Sequence, residues 1–326
     1  MTTRTQGTRL HRTRALARTV LRSAGLALAC CTTLGHAQPV DNETVRFDTR
    51  EPGGATFPLR GVLWHPPATS KGVVVLVHGS GGLRDHPVGH YARAFSAAGY
   101  SALAIDAFRP RGIEDTVDDQ SRISALQMAR DAFAALHFLG ERGYDTSRAA
   151  IMGFSKGGTA ALYAADRNFL PRQTLRFRAA LAFYPSCVVQ PRTPKPVGTT
   201  FVALGAEDDY VGNQPCIELV QASLRAGGEA SVKTYSGAAH AFDGHPDLTT
   251  MTHLRRAENY RNCSVVLDDD GRLDYRGTKY AAGDAALTAE LRRNCMTRGA
   301  TVWTNPAQKA AATRDALDFL DRTLAR

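Results

Sequence analysis

No run of 18 uncharged apolar residues occurs in the 326-residue chain, so no spanning helix of ordinary length is expected. No C-x-x-C pair and no H-E-x-x-H is present; the usual zinc-ligand spacings are missing, and neither a metal nor another cofactor is expected. The phosphate-loop ending G-K-[ST] is absent, and so is any internal repeat that would signal a solenoid or propeller. Acidic residues are missing from one region in particular, the first 37 positions. These positions carry six arginines: Arg4, Arg9, Arg12, Arg14, Arg18 and Arg22. Of the 40 basic residues 34 therefore lie beyond them, against 31 acidic ones, and the net charge of +9 belongs mainly to the leader. What remains is too weak a field to attract nucleic acid.

The leader itself has a recognisable order. Its arginines precede an apolar segment from Ala24 to Leu34, and "GHA" sets small residues before Gln38. That is the pattern of a secretory signal peptide, cleaved after Ala37, with the mature protein in the periplasm or outside the cell. Cys30 and Cys31 fall in the apolar segment and raise a lipoprotein alternative. "ALAC" and "LACC" both depart from a lipobox, however, and no twin-arginine pair is present. Without the leader four cysteines remain, Cys187, Cys216, Cys263 and Cys295. An even count in an exported protein implies two bridges, for which three connectivities exist; four buried free thiols are the alternative.

The mature chain, at 43% hydrophobic and 22% charged residues, has the composition of a globular protein. Apolar runs recur at 72–79, 101–108, 149–155, 178–185 and 199–209, with a further strand at 229–240 and earlier ones at "TVRF" and "FPLRGVLWHP". Such near-continuous runs indicate a sheet buried on both faces. Between them lie amphipathic stretches, clearest in "SRISALQMARDAFAALHFLGERG". The alternation predicts one α/β domain, residues 38–326, with a mostly parallel central sheet flanked by helices. Residues 247–305 break the rhythm and read as an irregular insertion before the last helix, clipped by Cys263–Cys295 if those two pair. The "DDDG" run within it is a solvated turn. An EF-hand frame on Gly271 would put Val266 and Gly277 where acids belong.

The stretch "AAIMGFSKGGTAALYAAD" puts Ser155 between an apolar strand and an alanine-rich helix, with Gly153 and Gly157 two residues to either side. A hydroxyl at the tip of a sharp strand-to-helix turn needs glycine at both positions, because side chains there would collide with the neighbouring strand and helix. The new helix also aims its first amides at any oxyanion formed beside the serine. Further along, "GAEDD" places Glu207, Asp208 and Asp209 at a strand end, and "SGAAHAFDGH" places His240 just past the next. Ser155, Asp208 and His240 in that order form a candidate catalytic triad, with Asp209 and His245 as alternatives. An N-cap for the helix starting near Asn213 is the competing role for either aspartate. The backbone amides of Ser80 and Lys156 are the candidate oxyanion hole, Gly81 being the alternative to Ser80.

Taken together, "HGSGGL", "IDAFRPRG", "GFSKGG", "AFYPSC", "GAEDDYV" and "YSGAAHAFD" resemble the dienelactone hydrolase family of α/β-hydrolases over about residues 55–245 and the last helix. The resemblance implies the α/β-hydrolase fold and points to Asp208, through G-x-x-D, and to His240. It also implies a Cys187–Cys216 bridge, as in exported relatives, which leaves Cys263–Cys295. Family members proper carry a cysteine where this chain has Ser155, and a serine must lose its proton during attack, whereas a thiol can be held as thiolate. The expected activity is therefore hydrolysis of a small carboxylic ester or lactone through an acyl-serine. Transfer of the acyl group to another acceptor and a non-catalytic binding role are the alternatives. Arg109 and Arg111 in "FRPRG" are candidates for binding a substrate carboxylate.

Overall fold

The computed structural model describes residues 41–324; the leader, its cleavage point and Cys30 and Cys31 lie outside the described residues. The chain opens with a hairpin of β1 (Asn42–Arg50) and β2 (Thr56–Trp64), followed by β3 (Val73–Val77), α1 (His90–Ala97), β4 (Ser101–Asp106) and α2 (Ala125–Glu141). Then come β5 (Ala149–Phe154), α3 (Lys156–Ala164), β6 (Ala179–Phe183), a short β7 (Val189–Pro191), β8 (Thr199–Gly205), α4 (Gln214–Arg225) and β9 (Glu229–Tyr235). These strands other than β7 form one sheet in the order β1-β2-β4-β3-β5-β6-β8-β9. From β4 to β9 all neighbours are parallel; β2 alone in this sheet runs against them, since β1, antiparallel to β2, points the same way as the rest.

The burial of each strand follows from its sequence. In β1, Val45, Phe47 and Thr49 are buried while their neighbours face solvent, the alternation of an edge hairpin covered on one side. In β3 the run Val-Val-Val-Leu-Val is buried throughout. Val73, Val75 and Val77 pack with Met128, Ala132 and Leu136 of α2, whereas Val74 and Leu76 join the cluster of Tyr91 and Phe95 on the opposite face. The final helix, α6 (Pro306–Leu324), closes this second face with Ala312, Ala316, Phe319 and Leu320.

The stretch before α6 is more regular than its sequence suggests. It holds β10 (Thr252–His253), β11 (Glu258–Asn259), β12 (Val265–Leu267), β13 (Leu273–Tyr275), β14 (Thr278–Tyr280), α5 (Ala285–Asn294), β15 (Thr297–Arg298) and β16 (Thr301–Val302). β10 pairs with β16 and β11 with β15, so the excursion leaves and returns through a zipped base. β12 lies parallel to β7, which ties the excursion to the loop after β6. Cys263–Cys295 closes it, and Cys187–Cys216 joins the loop after β6 to α4. A bridge spanning 32 residues contributes about 4 kcal/mol through loop closure.

The strand order fixes where a site can form. β3 is followed in the chain by β4 on one side and later by β5 on the other, so the loops after β3 and β5 diverge and leave a crevice at the sheet's carboxyl edge.

Candidate active site

Ser155 stands in that crevice as the residue between β5 and α3, at φ 52° and ψ −117°, a backbone region that residues with side chains rarely occupy. Its amide donates to Phe183 O on β6 at 2.9 Å. The glycines around it are required by contact: a Cβ on Gly153 would lie 1.9 Å from Gly157 O, and one on Gly157 would lie 2.2 Å from Val77 O.

His240 lies five residues past β9, and its Nε2 is 2.8 Å from Ser155 Oγ. Its Nδ1 is 2.8 Å from Asp208 Oδ2. The other carboxylate oxygen, Asp208 Oδ1, accepts from the amides of Tyr210 (2.8 Å) and Val211 (3.1 Å). Burial alone would push the Asp208 carboxyl up, but the His240 charge and hydrogen bond, with the two amides, outweigh it and hold the group below its ordinary value. The imidazole is flanked edge-on by Tyr184 and Tyr210, at 4.9 and 4.8 Å between ring centroids. Tyr184 donates from its hydroxyl to the fully buried Asp243 at 2.6 Å.

The alternatives are placed elsewhere. Asp209 accepts from the amide and hydroxyl of Thr301 at 2.7 and 2.8 Å, anchoring the excursion's return strand. His245 is half exposed and packs on His86, with centroids 5.1 Å apart. Neither Asp208 nor Asp209 caps α4, whose N-cap is Asn213.

The loop after β3 is held against the serine. A Cβ on Gly79 would come 3.2 Å from Ser155 Cβ. His78 is buried; its Nδ1–H donates to Gly79 O at 2.8 Å while Nε2 accepts from the Ala107 amide at 3.2 Å. Burial holds that ring's pKa down at about 4, so it stays neutral and keeps both bonds. Ser80 is fixed through its oxygens, its hydroxyl donating to Gln120 Oε1 (3.0 Å) and its carbonyl accepting from the Thr116 amide (2.8 Å). Ser80 and Lys156 line the same cavity as Ser155, and among the described residues neither amide donates to another protein group.

The Lys156 side chain turns away from the serine. Its Nζ donates to Thr116 Oγ1, Gln120 O and Ile123 O at 2.9, 2.9 and 3.0 Å, pinning the 116–123 loop to the start of α3. Burial brings this ammonium down to about 7. Arg111 departs from its expected role. It is nearly buried, bonded to Asp131 at 2.8 Å and to Glu51, and it braces α2 against the hairpin without lining the cavity. Arg109 is half exposed beside Asp106 and is also outside the cavity lining.

The cavity at Ser155 measures about 280 Å³. Glu258, Tyr260 and Leu291 of the excursion form part of its wall. Glu258 is buried, accepting from Arg292 Nε at 2.8 Å, the Gln120 amide at 2.9 Å and Tyr260 at 3.1 Å. Sequence reasoning did not find Gln120, Tyr184, Tyr210, Asp243 or Glu258. Only their proximity to motif residues ("YP", "DDY", "AFD") offered a signal for three of them. Among the described residues no cluster of three or more His, Cys, Asp or Glu side chains is arranged to hold a metal ion.

An alcohol within reach of an imidazole whose far nitrogen faces a carboxylate can lose its proton as it attacks a carbonyl. Set after the fifth strand of a mostly parallel eight-stranded sheet, that arrangement defines an α/β-hydrolase. The model of the dienelactone hydrolase family matches residues 59–260, and the chain belongs to that family. Hydrolase chemistry is the coarse assignment that membership supports. Among solved structures, m3DLH is 21% identical, with 87% of this chain and 98% of that one covered, at a TM-score of 0.54; it shares the fold. Esterase 2 of Thermogutta terrifontis, solved phosphoramylated by tabun, is 18% identical over 63% of this chain and 86% of that one, at 0.49. An esterase of Pyrobaculum calidifontis is 16% identical over 63% and 78%, at 0.48. No curated protein matches the chain.

Proposed function

We propose that the protein is an exported serine esterase that cleaves a small carboxylic ester or lactone through an acyl-serine intermediate. The observation that carries the reading is the unbroken chain from Ser155 Oγ to His240 Nε2 and from His240 Nδ1 to Asp208 Oδ2, both links at 2.8 Å. As Oγ attacks the carbonyl carbon its proton passes to Nε2, and Asp208 stabilises the imidazolium and keeps the ring in register. The oxyanion accepts from the Ser80 and Lys156 amides. Collapse breaks the ester bond, and the leaving alkoxide takes the proton from His240. Water, deprotonated by the same imidazole, then releases the acid and restores Ser155.

The two disulfides support export, since such bridges persist in oxidising compartments. In this reading residues 1–37 are the signal peptide and 38–326 a single domain, the excursion being an elaboration of it. A fluorophosphonate should add once to the folded protein, at Ser155, and not to Ser155→Ala. Intact mass spectrometry without an adduct on folded wild type defeats the proposal. The same spectrum should place the mature N-terminus at Gln38.

A further inference from the structure

The cavity continues beyond the triad. Down helix α3 its lining residues recur as Lys156, Thr159 and Tyr163. Tyr163 is two helical turns from Ser155, about 12 Å at 1.5 Å per residue. On the far side of Tyr163 a second hollow of about 40 Å³ begins, and Tyr163, Ser186 and Val189 line both spaces. Its further walls are mostly apolar, with Leu162, Phe169, Pro196, Leu219 and Val220 prominent. The carboxylate on that wall, Asp166, is engaged by the amides of Asn168 and Lys195 at 2.9 and 3.0 Å.

The partition between the two spaces is aromatic. The Tyr163 ring stacks on Phe169, with centroids 3.9 Å apart and planes at 14°. Between Lys156 and Tyr163 the Thr159 hydroxyl is paired with the Ser186 backbone: Oγ1 accepts from the Ser186 amide at 2.9 Å and donates to Ser186 O at 3.1 Å. A hydrocarbon chain lying over that pair strips none of these three atoms of a bond it makes to water alone.

We propose that this groove is a subsite for a linear hydrocarbon arm of the ester, and that Tyr163 is the wall that sets the arm's length. The inference rests on the serine-esterase reading. A short arm ends against the Tyr163 ring; a longer one needs the space beyond it. Each methylene newly buried there favours the longer substrate by roughly fourfold.

The test compares kcat/KM for p-nitrophenyl esters from acetate to decanoate, and for alkyl acetates of matching lengths, on wild type, Tyr163→Ala and Tyr163→Phe. Wild type should fall off beyond short chains in one series. In that series Tyr163→Ala should raise the octyl-to-acetyl or octyl-to-methyl ratio by about tenfold or more, while Tyr163→Phe follows wild type. A shift in the first series identifies the arm as acyl, and one in the second as alcohol. Unchanged ratios in both, in a variant whose Ser155 still takes a fluorophosphonate at the wild-type rate, overturn the proposal. Failure of wild type to be labelled is a separate result that removes the serine reading itself. Should Tyr163→Ala not fold, Tyr163→Leu removes the same ring and is judged by the same ratios.

Discussion

Replacing Asp208 with asparagine changes one atom and tests the proton path directly. Asp208 Oδ1 already accepts from two backbone amides, at 2.8 and 3.1 Å, and those donors have no other use for the residue than as an acceptor. An asparagine will therefore keep its single carbonyl oxygen on Tyr210 and Val211 and turn its NH2 toward His240 Nδ1. The imidazole must then accept at Nδ1 and carry its proton on Nε2, 2.8 Å from Ser155 Oγ. In that tautomer it donates to the serine and cannot take its proton.

The expected loss in kcat is about 10⁴-fold, or roughly 5.5 kcal/mol of transition-state stabilisation, with KM little changed because the cavity wall is untouched. Asp208→Ala should lose less than Asp208→Asn, since no NH2 then enforces the wrong tautomer. The assay is p-nitrophenyl acetate turnover at neutral pH, with thermal unfolding to show that the fold survives. A tenfold or smaller loss for Asp208→Asn, with its melting temperature unchanged, would refute the assignment of Asp208 as the partner that sets the tautomer.

Two further predictions concern stability. Burial pushes the Asp243 carboxyl up to about 6, so the folded state holds an extra proton from about pH 4, the unfolded value, to pH 6. The associated stability is complete below that window and is lost as pH rises through it. Asp243→Asn keeps an acceptor for Tyr184 and removes the charge. It should therefore gain up to about 3 kcal/mol over wild type at pH 7 and nothing at pH 4, read by urea unfolding; a gain independent of pH contradicts the carboxylate account. Gly157→Ala should lose roughly 3 kcal/mol or more, because its Cβ would meet Val77 O at 2.2 Å and His78 O at 2.5 Å and neither carbonyl can yield. Gly227→Ala has nothing within 4 Å and should lose only about 1 kcal/mol through its positive φ; equal losses for the two would show that close approach is not why Gly157 is there.

What the chain disclosed in advance was whatever local pattern encodes. β3 is legible because five consecutive apolar residues leave no face for solvent. Gly153 and Gly157 are legible because their constraint is set by residues a few positions away or by an adjacent strand of known type. The excursion looks irregular in sequence because its ordering partners are distant: β12 needs β7, some 75 residues earlier, and β11 and β15 each need the other. The bracing role of Arg111 is illegible in sequence for the same reason. Its partners, Glu51 and Asp131, come from segments 60 and 20 residues away, and nothing around "FRPRG" announces them.

The adjacent aspartates show how far local reading reaches. Successive residues leave the strand end in different directions, so Asp208 and Asp209 cannot serve one histidine. Asp208 meets His240, while Asp209 meets Thr301, the residue through which the excursion returns. Asp209 O also accepts from Asn259 and Arg261 at 2.9 and 2.6 Å. One turn therefore holds the proton-accepting imidazole on one side and the base of the cavity wall on the other. The base of the wall is thus set by the same turn that sets the histidine, while its upper part is held by α5, whose Leu291 lines the cavity and whose Arg292 donates to Glu258.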